Sequence, residues 1–419
     1  MQNKTKIFIQ KFGGTSIGIP SNVRNIQIVI NENSDKQIIV LSAFTKVTDL
    51  LIDIVNNLKN LNYDDALKLL SNLHNIHFEW IVQLSNSQYQ KDKLIAQLDQ
   101  LTEQIRSIIQ GIRIINEVSD NVEKRIIAFG EILSTSLFYI LISDQDKNIA
   151  FLNAFEIIEK NDTNINVNSD IINELLEEND IIITQGFICL ENGKISNLGR
   201  GGSDYSAALI GAAISAHQIN IWTDVDGILT ASPKIFNQTE SLDFISFTQI
   251  RELAKYGAKV LHVDTILPAI ENDINVKILN TSNLKFQGTL ISKTRATKKF
   301  SISMLNNISI IQIERTDDEE YFNKILKSIK NITLNKLNLL EVISNIDNTQ
   351  IYYTKQDNQS NYSIICIVNP DINLISEVIK DFDYVYNSSD KTLKIFLSSD
   401  ISEKLLNLIY EKLKLSLNK

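Results

Sequence analysis

The chain has 419 residues, 43% hydrophobic and 22% charged, the balance of a globular protein and too long for one core, so two or more domains are expected. Forty-one Lys and Arg against fifty Asp and Glu give a formal net charge of −9. That excludes a general binder of nucleic acid or anionic membranes, and any anionic ligand must be held by a local cluster.

The N-terminal MQNKTKIFIQKFGG has no apolar secretory core and no Arg/Ser-rich amphipathic stretch, and nowhere do about 18 uninterrupted apolar residues occur. A cytoplasmic location with no membrane span is expected. Cys189 and Cys366 lie in separate strand-like runs and read as buried free thiols in a reducing compartment.

Along the chain, KIFIQKF and QIIVLSAF are short, nearly continuous apolar runs, and NIAFLNAF, DIIITQGFICL, INIWTDVDGIL and NVKILNT follow later. Continuity rather than alternation marks strands buried on both faces, so a mostly parallel sheet in a layered α/β domain is predicted. Between Leu50 and Ile142 the apolar period changes to that of helices, as in KLIAQLDQLTEQIRSIIQGI and RIIAFGEILSTSLFYILI. This reads as a helical block inserted after the second strand. All fourteen glycines lie between Gly13 and Gly288, so ligand-cradling turns belong to residues 1–290. Residues 300–419 carry two βαββ-type patterns, which predicts paired ferredoxin-like modules.

Three motifs carry chemistry. Lys11-Phe12-Gly13-Gly14-Thr15-Ser16 follows the first strand and precedes a helix that Pro20 can start. Paired glycines can turn backbone N–H groups toward a phosphate, and Lys11 adds a point charge. Alone the pattern equally suits a tight turn with a solvated lysine; it is not a Walker loop, because the lysine precedes the glycines. In Leu198-Gly199-Arg200-Gly201-Gly202-Ser203-Asp204, glycines clear space around Arg200 for a bidentate anion contact, and Ser203 and Asp204 fall where the helix SAALIGAAISA begins. Trp222-Thr223-Asp224-Val225-Asp226-Gly227 ends a strand in acidic residues suited to a nucleotide and its cations, although D-x-D-G also forms plain turns.

Glu131, among apolar helix residues in AFGEILSTSLF, calls for a cation or donor; Lys259 in KYGAKVLH precedes an apolar segment. For either alone, a local ion pair or solvated helix face explains as much. His74, His77, His217 and His262 make no metal-site spacing with the cysteines. The chain has no G-x-S-x-G, H-E-x-x-H or G-x-G-x-x-G, which argues against esterase, metalloprotease and hydride-transfer chemistry.

Taken in order, KFGGTS, VLSAFTKVTDLL, FGE, GRGGSDYSAALIGA, WTDVDGI and YGAKVLH resemble the aspartate kinases of the amino-acid kinase family, over about residues 6 to 290. The resemblance implies a three-layer α/β/α sandwich on a mostly parallel sheet, followed by two ACT modules that join a homodimer. It implies transfer of the γ-phosphoryl group of ATP, with Mg²⁺, to the β-carboxylate of L-aspartate. By it, Lys11 and the amides of Gly13 and Gly14 hold the transferring phosphoryl group. Arg200 takes the aspartate α-carboxylate, Glu131 its ammonium, and Ser42 and Thr48 its other end, in a substrate loop that includes Gly201, Gly202, Ser203 and Asp204. Thr223, Asp224, Leu229, Lys234, Lys259 and Val260 complete the nucleotide site, with Lys11, Asp224 and Lys259 as the catalytic set.

That assignment makes physical sense: a zwitterion needs an acid and a base held apart, and a carboxylate nucleophile needs no general base near neutral pH. Two departures stand out. Leu229 and Lys234 replace a tyrosine and an arginine usual in the family's T-D-V-D-G-I-Y-T-T-D-P-R. The first regulatory turn reads IERTDDEEYF, where Asp317, Asp318, Glu319 and Glu320 would repel a carboxylate effector and no glycine lets the backbone approach it. Weak or absent lysine and threonine feedback is therefore expected. The rival readings are a kinase for another acidic amino acid and a non-catalytic ACT-type assembly protein with a decayed kinase domain.

Overall fold

The computed structural model describes residues 6–143, 147–258, 261–314, 338–344, 348–354, 362–389, 391–415 and 417. The chain divides into two compact units, Met1–Ile228 with His262–Lys293, and Leu229–Leu261 with Thr294–Lys419.

Unit 1 begins with β1 (Ile7–Phe12), α1 (Gly14–Gly18), α2 (Pro20–Glu32) and β2 (Lys36–Leu41). Pro20 stands at the first turn of α2, where its missing N–H removes no bond. The helical block follows as α3 (Val47–Lys59), α4 (Tyr63–Leu84), α5 (Gln88–Ile115) and α6 (Asp120–Ile142), so the periodicity placed it correctly. Ser87 and Ser119 cap α5 and α6 through their side chains. By length and composition α6 could cross a bilayer, but 67% of its apolar window is buried inside the protein, as suits a core helix.

After the block come β3 (Ile149–Leu152), α7 (Ala154–Ile157), β4 (Ile158–Lys160), β5 (Ile165–Val167), α8 (Ser169–Glu178), β6 (Ile181–Gln185), β7 (Ile188–Glu191) and β8 (Lys194–Asn197). Then α9 (Gly202–Ala213) leads into β9 (Gln218–Thr223). In the strand order of the main sheet, β9, β1, β2, β6 and β3 are successive neighbours, all paired in parallel. Strands β4, β5, β7 and β8 make a separate small sheet. Ile38, Ile39, Val40, Ile181, Ile182 and Ile183 are essentially fully buried, as the continuous apolar runs require. Because β2 lies on one side of β1 and β9 on the other, the strand order reverses at β1, the kind of switch point beyond whose carboxyl ends open α/β sheets form a ligand crevice.

In unit 2, β10 (Phe244–Ser246) leads into α10 (Phe247–Lys255) through a capping box of Ser246 and Gln249. Unit 1 is completed by α11 (Leu267–Glu271), β11 (Asn275–Asn280) and β12 (Thr289–Ser292); β11 pairs in parallel with β9 and antiparallel with β12.

Unit 2 continues with β13 (Ser301–Glu314), β14 (Asn338–Ser344), β15 (Asn348–Thr354), β16 (Tyr362–Val368), α12 (Ile372–Ile379), β17 (Asp383–Asn387), β18 (Thr392–Ser398) and α13 (Ser399–Lys414). The strands form one antiparallel sheet in the order β14-β15-β13-β16-β18-β17. The second βαββ pattern is therefore present, with a strand, β17, that the sequence reading did not separate. DYVYN is short and mostly exposed at the sheet edge, so it lacks the apolar continuity that marks the other strands. The helix expected in EEYFNKILKSIKN and the acidic turn at residues 317–320 lie outside the described residues.

Leu229–Leu261 groups with unit 2. Hydrogen bonds explain the grouping: the Ile302 N–H donates to the Thr230 carbonyl at 2.8 Å and the Thr297 N–H to Gln249 Oε1 at 3.1 Å. Such partners are invisible to a one-dimensional pattern.

Candidate active site

Strand β1 delivers Lys11 to the crevice in register with Val40 of β2 and Ile221 of β9. Lys11 Nζ pairs with Asp204 Oδ1 at 2.7 Å, both side chains being largely buried (11% and 14% exposed). Asp204 stands in the first turn of α9, where the helix dipole favours a carboxylate. Two motifs nearly two hundred residues apart in sequence thus meet in one ion pair.

The turn after Lys11 is held from two sides. The Gly13 N–H donates to the Trp222 carbonyl of β9 at 3.2 Å, and the Thr45 N–H donates to the Gly14 carbonyl at 3.3 Å. The Gly13 amide is thereby occupied inside the sheet, which leaves Gly14, at the start of α1, as the amide of the pair free to meet a ligand. Ser16 Oγ also donates to the Trp222 carbonyl, at 3.3 Å, and shares a 2.6 Å hydrogen bond with Thr281.

Glu131 comes from α6 and is 4% exposed. Its Oε1 accepts the Ala43 N–H at 3.1 Å, while Oε2 is buried without a hydrogen-bond partner. Burial pushes the carboxyl up to about 8, against the opposing pull of the Ala43 amide and the charge of Lys11. A buried oxygen with no donor is the situation that calls for a cationic ligand. Ser134, one turn further along α6, donates from Oγ to the Ser42 carbonyl at 2.8 Å, so helix and loop are fastened at two points.

Ser42 follows β2 and Thr48 sits in the first turn of α3; both are half-buried. Gly201, with φ of 73°, precedes α9, and Gly202 and Ser203 open it. Arg200 is exposed and makes no ion pair among the described residues. Thr223 ends β9, and its hydroxyl donates to the exposed Asp224 carboxylate at 3.1 Å. Lys11 pairs with Asp204, Glu131 and Ser42 are fastened through Ala43 and Ser134, and the turn of Gly13 and Gly14 is bonded to Trp222 and Thr45, all at the carboxyl end of β1 or β2. Leu229 and Lys234 belong to unit 2, and Lys259 and Val260 lie outside the described residues.

Sequence reasoning missed several supports. One is the Ala43 amide, since a backbone donor leaves no residue-type signal. Another is a buried amide ladder beneath the crevice: Gln10 Oε1 accepts from Trp222 Nε1 at 2.8 Å and from Asn220 Nδ2 at 3.1 Å, while Gln10 Nε2 donates to Gln37 at 3.4 Å. Polar residues inside three otherwise apolar strands were the available signal. Asp226, which the sequence motif included among acidic residues suited to a nucleotide, accepts from Asn280 Nδ2 at 2.8 Å and Asn283 Nδ2 at 3.2 Å and so fixes the loop after β9.

The model of the amino acid kinase family matches residues 6–280. The chain is 30% identical over 303 residues to the lysine-sensitive aspartokinase 3 of Escherichia coli, covering 68% of this chain and 64% of that protein. It is 29% identical over 381 residues to a bifunctional aspartokinase/homoserine dehydrogenase of Buchnera aphidicola, covering 87% of this chain and 46% of the relative. The chain therefore spans about half to two thirds of the length of these relatives. Its fold is that of E. coli aspartokinase III solved in complex with aspartate and ADP: TM-score 0.77 at 23% identity, over 97% of this chain and 99% of that one. An aspartate kinase from Clostridium acetobutylicum matches with a TM-score of 0.74 at 22% identity, over 98% and 99%.

Proposed function

The chain belongs to the amino acid kinase family, and from that premise we propose that it is an aspartate kinase, transferring the γ-phosphoryl group of ATP to the β-carboxylate of L-aspartate to give 4-phospho-L-aspartate and ADP. The observation that carries the reading is Glu131: a buried carboxylate with one oxygen bonded to Ala43 and the other unpartnered, within the field of Lys11. An amino acid's ammonium supplies the missing partner and restores the ionised form of Glu131.

Arg200, exposed in its glycine-rich turn, takes the α-carboxylate, and the hydroxyls of Ser42 and Thr48 orient the other end. The β-carboxylate is ionised near neutral pH, so it attacks the γ-phosphorus directly. A new O–P bond forms while the bond to the β,γ-bridging oxygen breaks, and that oxygen leaves with ADP. No proton needs to move, and the work is positioning and charge neutralisation. Lys11 Nζ and the Gly14 amide sit where the transferring oxygens gather charge. Thr223, Asp224, Leu229, Lys234, Lys259 and Val260 serve the nucleotide.

The exposed Asp224 is a carboxylate that would help to hold Mg²⁺ beside the nucleotide, where the ion would supply neutralisation of phosphate charge. The named relatives support aspartate as the acceptor. We also propose that the C-terminal modules, residues 300–419, mediate a homodimer, that lysine and threonine feedback is weak or lost, and that the enzyme works in the cytoplasm. Measuring ADP release with aspartate, with glutamate and with no acceptor tests the central reading. Aspartate-dependent release is expected; equal rates in all three arms reject it.

A further inference from the structure

The turn between β6 and β7, Gly186-Phe187, is absorbed by none of the roles above, yet it touches both halves of the crevice. On one side, the Gly186 N–H donates to the Leu41 carbonyl at 2.8 Å, at the end of β2. The residues that follow that strand are Ser42 and Ala43, and the Ala43 amide holds Glu131. On the other side, the Phe187 N–H donates to Ser206 Oγ at 3.0 Å, and the same hydroxyl donates to the Gly202 carbonyl at 3.0 Å, inside the first turn of α9. The Phe187 carbonyl accepts the Leu198 N–H at 2.8 Å, tying down the start of the Arg200 loop.

The steric fit is closer still. A methyl group at position 186 would lie 2.5 Å from Ser203 Cβ and 2.7 Å from Ser203 Oγ. One at position 202 would lie 2.7 Å from the Phe187 ring and 3.2 Å from Phe187 Cα. The turn and the helix terminus interlock with no slack: each presents a glycine to the other's side chain. Phe187 itself is held at φ of 67°, a left-handed conformation that a bulky residue adopts only when its surroundings impose it.

We infer that the Gly186-Phe187 turn is a positioning device that sets where α9 begins relative to the end of β2, and thereby the separation between Glu131 and the Lys11–Asp204 pair. This rests on the reading of the crevice as an amino-acid kinase site. If Glu131 binds one end of the substrate and Asp204 orients the phosphoryl-handling lysine, their spacing decides whether the acceptor meets the phosphoryl group. Neither Gly186 nor Phe187 need touch a substrate for this.

The test is a double-mutant cycle on the full chain, with KM for aspartate, KM for ATP and kcat read separately. Gly186→Ala should raise KM for aspartate or lower kcat by about tenfold or more, since an ångström of misplacement is worth up to about a hundredfold. Ser203→Gly removes Cβ and Oγ, the two nearest atoms the new methyl strikes, and leaves only Cα at 2.8 Å, so Gly186→Ala should cost several-fold less in that background than in the wild type, whatever Ser203→Gly does alone. Phe187→Gly keeps the left-handed turn but removes the ring behind Gly202. It should lower kcat/KM for aspartate about tenfold while KM for ATP and the thermal melt stay near wild type, which keeps the test open if Gly186→Ala does not fold. Additive effects in the cycle, or a Phe187→Gly enzyme with unchanged aspartate kinetics, would overturn the inference. An inactive wild-type chain would instead reject the kinase reading itself, so the two failures are distinguishable.

Discussion

Glu131 combines two demands that conflict. The folded protein alone prefers it protonated, because burial holds its carboxyl near 8, whereas an ammonium ligand needs it ionised. Below that value substrate binding must also remove a proton, so kcat/KM for aspartate should rise as pH increases toward about 8 and level off above it. The stability sign is opposite: a raised folded value means that the contribution of this group is fully present below its unfolded value of 4.5 and is lost as pH rises through 8. Glu131→Gln keeps the shape and removes the charge. It should abolish most aspartate turnover, by a hundredfold or more, while raising the melting temperature at pH 9. Pairing a pH–rate profile with calorimetry checks both; a variant that loses activity and is also destabilised at pH 9 contradicts the argument. At Lys11 a different split is expected. Lys11→Met should lower kcat by about two to three orders of magnitude, the loss typical of a group that stabilises developing charge, with a smaller change in KM for aspartate.

Among the elements, the helical block acts as the wall behind the 43–45 loop. Phe44 stacks on His77 of α4 with ring centroids 4.6 Å apart and lies 5.3 Å from Trp80, whose Nε1 donates to the Ile17 carbonyl at 2.9 Å. His77 is fully buried; one ring nitrogen bonds the Leu73 carbonyl at 2.8 Å and Nε2 has no partner. Burial lowers it to about 4 from 6.5. A depressed histidine stays neutral in the fold while the unfolded chain takes up a proton, so stability is lost as pH falls from 6.5 toward 4. The total is about 3 kcal/mol, with about 2 kcal/mol gone by pH 5. His77→Phe should flatten this acid-side decline in urea titrations at pH 7 and pH 5; an equal decline in both proteins would rule His77 out as its source. The block's existence was legible because its period is long and unbroken. Its purpose was not, since stacking between Phe44 and His77 joins residues whose sequence signals are those of ordinary core and surface positions.

For the molecule as a whole, the strands of the parallel sheet were readable because burial on both faces writes a continuous apolar run. The convergence of Lys11 with Asp204 was readable only as two motifs, each compatible with a plain turn, until the sheet order brought them within 2.7 Å. Backbone donors such as Ala43, and the interlock of Gly186 with Ser203, depend on tertiary distance and leave no trace in residue type. The two departures from the family pattern, Leu229 and Lys234, can be tested on the intact protein. Leu229→Tyr with Lys234→Arg should lower KM for ATP, as the guanidinium regains a forked contact that lysine lacks. An unchanged KM rejects a nucleotide role for the pair. Initial rates should also be insensitive to millimolar lysine and threonine, and strong inhibition by either would refute the reading of the acidic turn.

The place of β1 between β2 and β9 has a consequence for biogenesis. Phe12 and Trp222 are neighbours across the sheet, yet more than two hundred residues of synthesis separate them. Throughout that interval the nascent chain presents one flank of its first strand, an apolar ribbon with unsatisfied amides and carbonyls, to whatever else is at hand. A chain truncated before Gln218 should therefore leave that flank uncovered and recruit foreign strands more readily than the full-length protein.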